Sequence, residues 1–323
     1  KLQPEDDMKK NLKTHAFTMA EILISLTIIG VIAAITLPAL RANINESTWN
    51  TQRKALYSRM SQAISMMPAL NGYGIGATDA ETNSKAAMAF VSEGLDKVLK
   101  INNICDSTEL TKCGIPDKIT TMPNSKMNFP TNLTELNPMF SVNGNPQKNI
   151  NTNAVAFETA NGESVAVFYN PLCMQASESN YAGFWEYTQP MMCANFIYDL
   201  NGRKGPNKVG KDIGFITALY PTEPNVVAPM PLTTNAKNGT ATTMVQANAA
   251  AACRKQDENS RMANRDELTS MFYNRQLIGI TSGAFWSGSL IDSNHAWYVN
   301  FDDGRRYAND RFHTLSNIRC IKR

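Results

Sequence analysis

The longest apolar segment of the chain lies near its start, where nineteen residues, Ile22 to Leu40, contain no charged side chain. A helix of about 20 apolar residues can cross the hydrocarbon core of a bilayer. Glu21 stands directly before this run, and a carboxylate in a lipid-like setting is costly unless a cation lies nearby. The pattern therefore predicts a membrane-spanning helix with an acidic residue of functional importance.

Helical spacing continues after the apolar run ends. Apolar residues recur every three or four positions and form one face of a helix: Ala55, Leu56, Met60, Ala63, Ile64 and Met67. Pro68 and the glycines that follow end this pattern. A single helix over 17–67 would be roughly 75 Å long, and two helices broken at Pro38 fit the same pattern.

The remaining pattern alternates between helical and strand signals. Residues 84–100 predict an amphipathic helix, with Ser84 as its N-cap. Strands are predicted at 154–157, 164–169, 193–198 and 213–217, and Asn161-Gly162 is a hairpin turn signal between the first two. We expect an α+β fold, in which the long N-terminal helix packs on an antiparallel-sheet head at 68–219.

A second unit is predicted at the C-terminal end. The segment 220–239 is rich in Pro, Thr and Asn and is typical of an extended linker. Residues 240–323 then predict a helix near 243–253, a short helix at 268–272 and several aromatic-rich strands. We expect this unit to be a small α+β domain.

Composition and charge set limits on function. The chain has 323 residues, 43% hydrophobic and 18% charged, and a formal net charge of +3. The C-terminal arginines alternate with Asp302, Asp303 and Asp310, so we do not expect nucleic-acid binding. Acyl-transfer, phosphate-binding and dinucleotide motifs do not occur in the sequence, and we do not expect an enzyme.

Six cysteines indicate an oxidising compartment, because disulfides persist outside the cytoplasm. Six cysteines allow fifteen pairings. Cysteines that are neighbours in the sequence and lie in the same predicted domain are the favoured partners. This criterion gives Cys105–Cys113, Cys173–Cys193 and Cys253–Cys320. We therefore expect the part of the chain after the apolar run to lie in the periplasm or outside the cell.

The segment Phe17-Thr-Met-Ala-Glu21 and the apolar run after it resemble the N-terminus of type IV pilins and type II secretion pseudopilins. In that family a basic leader is removed before a Phe, and the new N-terminal residue is methylated. With Phe17 as the first mature residue, Glu21 is the fifth, Gly30 the fourteenth and Pro38 the twenty-second, as in the family. Ala16 replaces the family's usual Gly before the cleavage point.

The resemblance implies a leader at 1–16, a prepilin peptidase as processing partner and an inner-membrane precursor. Met8-Lys-Lys looks like the native start, so residues 1–7 are interpreted as a mis-assigned start or the remnant of a tag. The family places the amine of Phe17 beside Glu21 of a neighbouring subunit in an extracellular or periplasmic filament. Other pilin subunits are therefore the expected partners, and pilus and secretion pseudopilus both stay open.

The C-terminal unit resembles the C-type-lectin-like domain of bacterial collagen-like adhesins. The resemblance rests on five segments: Arg261-Met-Ala-Asn-Arg-Asp-Glu-Leu268, Ala284-Phe-Trp-Ser-Gly-Ser289, Ala296-Trp-Tyr-Val-Asn-Phe301, Asp303-Gly304 and Ile318-Arg-Cys-Ile-Lys-Arg323. The chain departs from that family's pattern at Ala263 and Gly288. The resemblance implies a minor filament subunit that displays a domain for a glycan or another surface ligand. A pseudopilin without ligand binding and a membrane-anchored lectin-like receptor are the alternatives.

A loop between two predicted strands, 199–212, contains the candidate oxygen ligands Asp199, Asn201 and Asp212. The loop is similar to one in pilin and pseudopilin heads, and some pseudopilins bind calcium in a head loop. Asp, Asn, Gly and Pro are also the residues that tight turns require. We favour the turn interpretation, so no cofactor is expected, and calcium stays as the alternative.

Overall fold

The structure is a computed structural model. It describes residues 19–71, 84–136, 141–142, 145–146, 153–170, 186–187, 191–220, 226–228, 232–233, 243–256, 258–280 and 282–322. The chain divides into a first unit that ends at Thr48 and a second, compact unit from Trp49 to Arg323.

The described residues form α-helices and short β-strands. The helices are α1 (Met19–Asn71), α2 (Ser84–Ala89), α3 (Leu133–Leu136), α4 (Gln246–Gln256), α5 (Arg265–Tyr273) and α6 (Arg275–Ile278), with a π-helical turn at Phe90–Gly94 and 3₁₀ turns at Leu95–Lys97 and Leu110–Cys113. The strands are β1 (Ile101–Cys105), β2 (Lys118–Thr120), β3 (Lys126–Asn128), β4 (Ser141–Val142), β5 (Asn145–Pro146), β6 (Val155–Thr159), β7 (Ser164–Tyr169), β8 (Glu186–Tyr187), β9 (Met191–Asp199), β10 (Ile213–Tyr220), β11 (Val226–Ala228), β12 (Leu232–Thr233), β13 (Thr243–Val245), β14 (Ser260–Met262), β15 (Ala284–Leu290), β16 (His295–Asn300), β17 (Arg306–Asp310), β18 (Leu315–Ile318) and β19 (Cys320–Lys322).

The predicted membrane-spanning helix is the part of the fold prediction that is wrong. Within the part of the chain that the structure describes, no helix is both long enough and apolar enough to cross a membrane. Of the two alternatives for the helix itself, the uninterrupted one is observed, because α1 continues through position 38.

The part of α1 that belongs to the second unit packs through the predicted apolar face. Five of its six members are buried: Leu56, Met60, Ala63, Ile64 and Met67. Ala55 is exposed. Arg53, which lies off the apolar face in the sequence pattern, is also buried, and its guanidinium donates to the carbonyls of Gly210 and Lys211. The helix is therefore fixed to the rest of the unit by apolar packing and by these hydrogen bonds.

An antiparallel sheet forms the centre of the compact unit, with the strand order β1-β6-β7-β9-β10-β11. The predicted hairpin is present: Gly162 has a φ of +86°, and its amide donates to the carbonyl of Thr159. Every residue of β7 is buried. This sheet therefore has no solvated face along β7, which explains why β7 reads as a continuous apolar run in the sequence.

The C-terminal part of the unit forms two further sheets, with the orders β13-β18-β15-β16-β17-β8 and β12-β19-β14. Helix α5 begins with a capping box, in which Asn264 accepts from the amide of Glu267 and the Glu267 carboxylate accepts from the amide of Asn264. A disulfide joins Cys253 on α4 to Cys320 on β19. The capping box fixes the start of α5, and the disulfide fixes α4 to β19.

The central sheet and the C-terminal part share one hydrophobic core. A polar cluster joins them, in which the amide groups of Asn195 on β9 and Asn274 after α5 hydrogen-bond to each other at 2.8 and 3.0 Å. Thr217 and Ser270 complete this buried cluster. The predicted linker contains two strands, and each pairs with a strand that belongs to a neighbouring segment: β11 pairs with β10, and β12 pairs with β19. The predicted segments 68–219 and 240–323 therefore lie in the same compact unit.

Candidate functional site

The first candidate surface is the N-terminal part of α1, described here within its own unit. Its large hydrophobic side chains are exposed around the helix: Met19, Ile22, Leu23, Ile24, Leu26, Ile28, Ile29, Val31 and Ile32. The least exposed of them, Ile22, still has 49% of its surface open to solvent. An isolated apolar patch of this kind marks a site of interaction. We name residues 19–32 the apolar segment.

The residues that the sequence predicts to take part in processing and assembly lie on this segment or close to it in the chain. Ala16 and Phe17 lie outside the described residues, as do the side chains of Glu21 and Pro38. Gly30 is described, and a Cβ added there would meet no atom within 4 Å. The apolar segment is thus open at the glycine where a helix neighbour could approach closely.

The second candidate site is the loop 199–212 between β9 and β10. Asp212 closes this loop, because its carboxylate accepts the backbone amides of Asn207 and Lys208 at 2.7 and 2.8 Å. Its carbonyl also accepts the amide of Leu200 at 3.0 Å. Both carboxylate oxygens of Asp212 therefore accept hydrogen bonds from the backbone of the loop.

Asp199 has a different environment in the same loop. Its side chain is 1% exposed; Oδ1 accepts the amide of Asn201 at 3.1 Å, and Oδ2 has no hydrogen-bond partner. Burial raises the pKa of Asp199 to about 7; the hydrogen bond from the Asn201 amide opposes this rise, and the charge of Asp212 adds to it. A carboxylate in this position lacks the compensating cation that a buried charge requires.

Three more buried side-chain oxygens, two on this loop and one on β7, have no hydrogen-bond partner among the described residues. Asn201 donates its amide nitrogen to the carbonyl of Gly205 at 3.1 Å, which leaves its Oδ1 unpaired. Asn207 Oδ1 and Ser164 Oγ are also unpaired. Ser164 faces Asp199 across the β7–β9 pair, and directly opposed residues in an antiparallel pair lie on the same face of the sheet. The four oxygens belong to one loop and the strand beside it, and we name them the oxygen cluster.

The basic side chains of the loop make their contacts elsewhere. Arg203 donates to the carbonyl of Lys112 at 2.9 Å, and the ammonium of Lys208 contacts Asn124 Oδ1. The loop backbone pairs with the β2 strand, where Thr120 donates to the carbonyl of Asn207. The loop is therefore anchored to β2, to the turn at Leu110–Cys113 and to Asn124.

The aromatic residues of the C-terminal unit mostly belong to the core. Phe285, Trp286, Trp297 and Phe301 are buried. Tyr298 is half-buried and stacks on Tyr307, with ring centroids 5.3 Å apart and an interplanar angle of 22°. The hydroxyl of Tyr307 donates to Asp303 Oδ2 at 3.1 Å. Of the five aromatic residues Phe285, Trp286, Trp297, Tyr298 and Phe301, Tyr298 is the one that is not fully buried.

The predicted disulfides Cys105–Cys113 and Cys253–Cys320 are confirmed. Cys193 is also disulfide-bonded, whereas Cys173 lies outside the described residues. Disulfides of this kind place the compact unit in the periplasm or outside the cell.

Sequence reasoning found Asp199, Asn201 and Asp212 but missed Ser164 and Asn207. Ser164 becomes part of the site through strand register, which a linear sequence does not display. Asn207 carried a usable signal, since it follows Gly-Pro and adopts a φ of +51°, a conformation that Asn tolerates well. No protein-family model matches the chain, and no curated protein sequence matches it.

Proposed function

We propose that this protein is a subunit of an extracytoplasmic filament and that it assembles by packing its apolar segment against the same segment of other copies. The observation that carries the proposal is the exposure of nine large hydrophobic side chains around one helix. A helix that is apolar on all sides is stable when it is buried on all sides. Each such side chain contributes about 1.5–3 kcal/mol when it leaves water.

The finer proposal is a type IV pilin or a type II secretion pseudopilin. Support comes from the Phe17-to-Glu21 motif, from Gly30 and Pro38 at the family's spacing, and from the disulfides of the compact unit. In such a filament the amine of Phe17 would neutralise Glu21 of a neighbouring copy, so that neither charge is buried alone. A prepilin peptidase would act between Ala16 and Phe17.

Assembly is tested with one charge placed on the apolar segment and one placed elsewhere on the same helix. Ile28→Lys changes a side chain that is 54% exposed, and Met66→Lys changes one that is 49% exposed in the compact unit. We expect Ile28→Lys to abolish incorporation into sheared filaments, because a lysine would be buried without a partner. We expect Met66→Lys to assemble normally. Equal incorporation of both variants would contradict the proposal.

Processing is tested on the same sheared fraction by intact mass and N-terminal sequencing. We expect a mature chain that begins at N-methyl-Phe17. A chain that retains residues 8–16 in the filament fraction would refute the pilin-type processing, although not assembly through the apolar segment.

Recognition by the C-terminal part is a second proposed function, and the stacked pair Tyr298–Tyr307 favours it. Paired tyrosine rings with a carboxylate nearby offer both stacking and hydrogen bonding to a glycan. Full-length protein applied to a glycan array tests this function, with Tyr307→Ala as the variant and Phe312→Ala, an exposed aromatic elsewhere, as the control. Binding that is lost only in Tyr307→Ala is expected. Absence of glycan binding by the wild type would favour a pseudopilin without this activity.

A further inference from the structure

We propose that one face of the β2–β3 hairpin and of the chain segment beside it binds an acidic polysaccharide, whose carboxylate or sulfate groups pair with Lys118, Lys126 and Lys208. We name these three residues the lysine face. Two pairings of β2 build it, one with β3 and one with the segment that contains Lys208. The proposal is independent of filament assembly and of the stacked tyrosine pair, because neither of them includes this part of the compact unit.

Strand register places the three lysines on the same side of the hairpin. Lys126 lies directly opposite Thr120 in the antiparallel β2–β3 pair, and Lys208 pairs with Thr120 from the other edge of β2. Lys118 is two positions before Thr120, so it lies on the same face of the strand. Backbone hydrogen bonds of 2.8 and 2.9 Å join Thr120 to the residues on either side of Lys208. The relative position of the lysines is therefore fixed by the backbone.

The opposite face of the hairpin packs on the hydrophobic core. Ile119 is 1% exposed, and Met127 packs against the core cluster. Lys118 and Lys126 are exposed and Lys208 is half-buried. Because the inner side chains hold the hairpin in place, the lysine face is turned towards solvent.

No carboxylate shares the lysine face. Its other strand positions are Thr120 and Asn128. Asp117 is one position before Lys118 and therefore lies on the opposite face, and Asp212 is buried with its carboxylate bonded to backbone amides. Among the described residues, none of the three lysines forms an ion pair. Unpaired charges of one sign attract a partner of the opposite sign.

The uncharged side chains around the lysines favour a polysaccharide over a nucleic acid. Thr120 and Asn128 lie on the same face, and Asn124 and Ser125 are exposed at the hairpin turn. Their amide and hydroxyl groups can hydrogen-bond to sugar hydroxyls. The named positions of this face include no aromatic residue, whereas proteins that bind single-stranded nucleic acids stack the bases on aromatic side chains. The disulfides place the face outside the cytoplasm, where it can meet surface polymers.

The test is binding of full-length protein, in nonionic detergent, to immobilised heparin, measured by surface plasmon resonance. Pairing of lysines with a polyanion releases bound counterions, so the affinity falls as the salt concentration rises. With about 0.7 log units per neutralised charge and decade of salt, three lysines predict a loss of about 20-fold between 50 and 200 mM salt. Uncharged dextran should not bind.

Two double variants with the same change of net charge connect this binding to the site. Lys118→Gln with Lys126→Gln removes two charges from the lysine face, and Lys97→Gln with Lys255→Gln removes two elsewhere in the compact unit. All four side chains are exposed, so we expect both proteins to keep the Tm of the wild type. The first should bind heparin about 25-fold more weakly at 100 mM salt, with about a third of the salt dependence. The second should bind like the wild type.

Three outcomes would overturn the proposal. If the wild type does not bind heparin, the lysines serve only to prevent the hairpin from pairing with other chains, a common role of lysine on edge strands. Equal loss in both double variants would mean that only net charge matters. Duplex DNA that binds as tightly as heparin would contradict the choice of a polysaccharide. Tyr307→Ala should leave heparin binding unchanged, which keeps this site distinct from the stacked tyrosine pair.

Discussion

Replacing each disulfide by an alanine pair should destabilise the compact unit by amounts set by the length of chain that the disulfide closes. Cys253 and Cys320 are 67 residues apart in sequence, whereas Cys105 and Cys113 are 8 apart. The loop-closure entropy of the unfolded chain gives a loss of about 4.4 kcal/mol for the long loop and about 2.5 kcal/mol for the short one.

The comparison is sharper than either value alone. All four cysteines are buried, with exposures of 0 to 5%. The free energy lost by removing buried sulfur is therefore similar in the two alanine pairs, and it cancels in the difference. The remaining difference, about 2 kcal/mol, reports how much more loop-closure entropy the longer disulfide removes from the unfolded chain.

Denaturant unfolding measures this difference, followed by tryptophan fluorescence, to which Trp286 contributes, and by circular dichroism. Trp286 is fully buried in the same small core cluster as Cys253 and Cys320. Coincident transitions by both probes are required before free energies are compared. Equal losses, or a larger loss for the Cys105–Cys113 pair, would refute the entropic reasoning.

Two smaller predictions concern a glycine and a carboxylate. Gly304→Ala should cost about 1–3 kcal/mol more than Gly162→Ala in chemical unfolding. Both glycines have positive φ, but only at Gly304 would a Cβ overlap a side chain, the Phe272 ring. The pKa of Asp310 lies below its usual value, chiefly because His313 hydrogen-bonds to it. Its stabilising effect is therefore present above the unfolded-state pKa and is lost as the pH falls through the native one, and an NMR titration of His313→Ala should show the pKa rising.

The strands of the central sheet could be predicted because their side chains are apolar on both faces and turn residues bound them. The segments 164–169 and 193–198 were placed close to the observed β7 and β9. The short strands β8 and β12 could not be predicted, because two residues carry no periodicity and each pairs with a strand far away in sequence. Their positions depend on tertiary contacts alone.

In the candidate sites, too, the residue types could be predicted from the sequence, whereas their roles depend on tertiary contacts. Three members of one loop, Asp199, Asn201 and Asp212, could be identified as oxygen donors, yet sequence could not assign their separate roles. Those roles depend on which atoms the backbone amides reach. The apolar segment was identified correctly as a helix, but its interpretation as a membrane span was wrong. Hydrophobicity predicts that a helix needs an apolar environment without specifying which one.

The position of β19 has a consequence for how the protein is made. This strand lies between β12 and β14, both of which precede it in the chain. During export the earlier strands emerge first and wait for their central partner. Cys253 likewise emerges before its partner Cys320 and after the four other cysteines of the chain. We therefore expect the Cys253–Cys320 disulfide to form last, once β19 has emerged and can pair with β12 and β14.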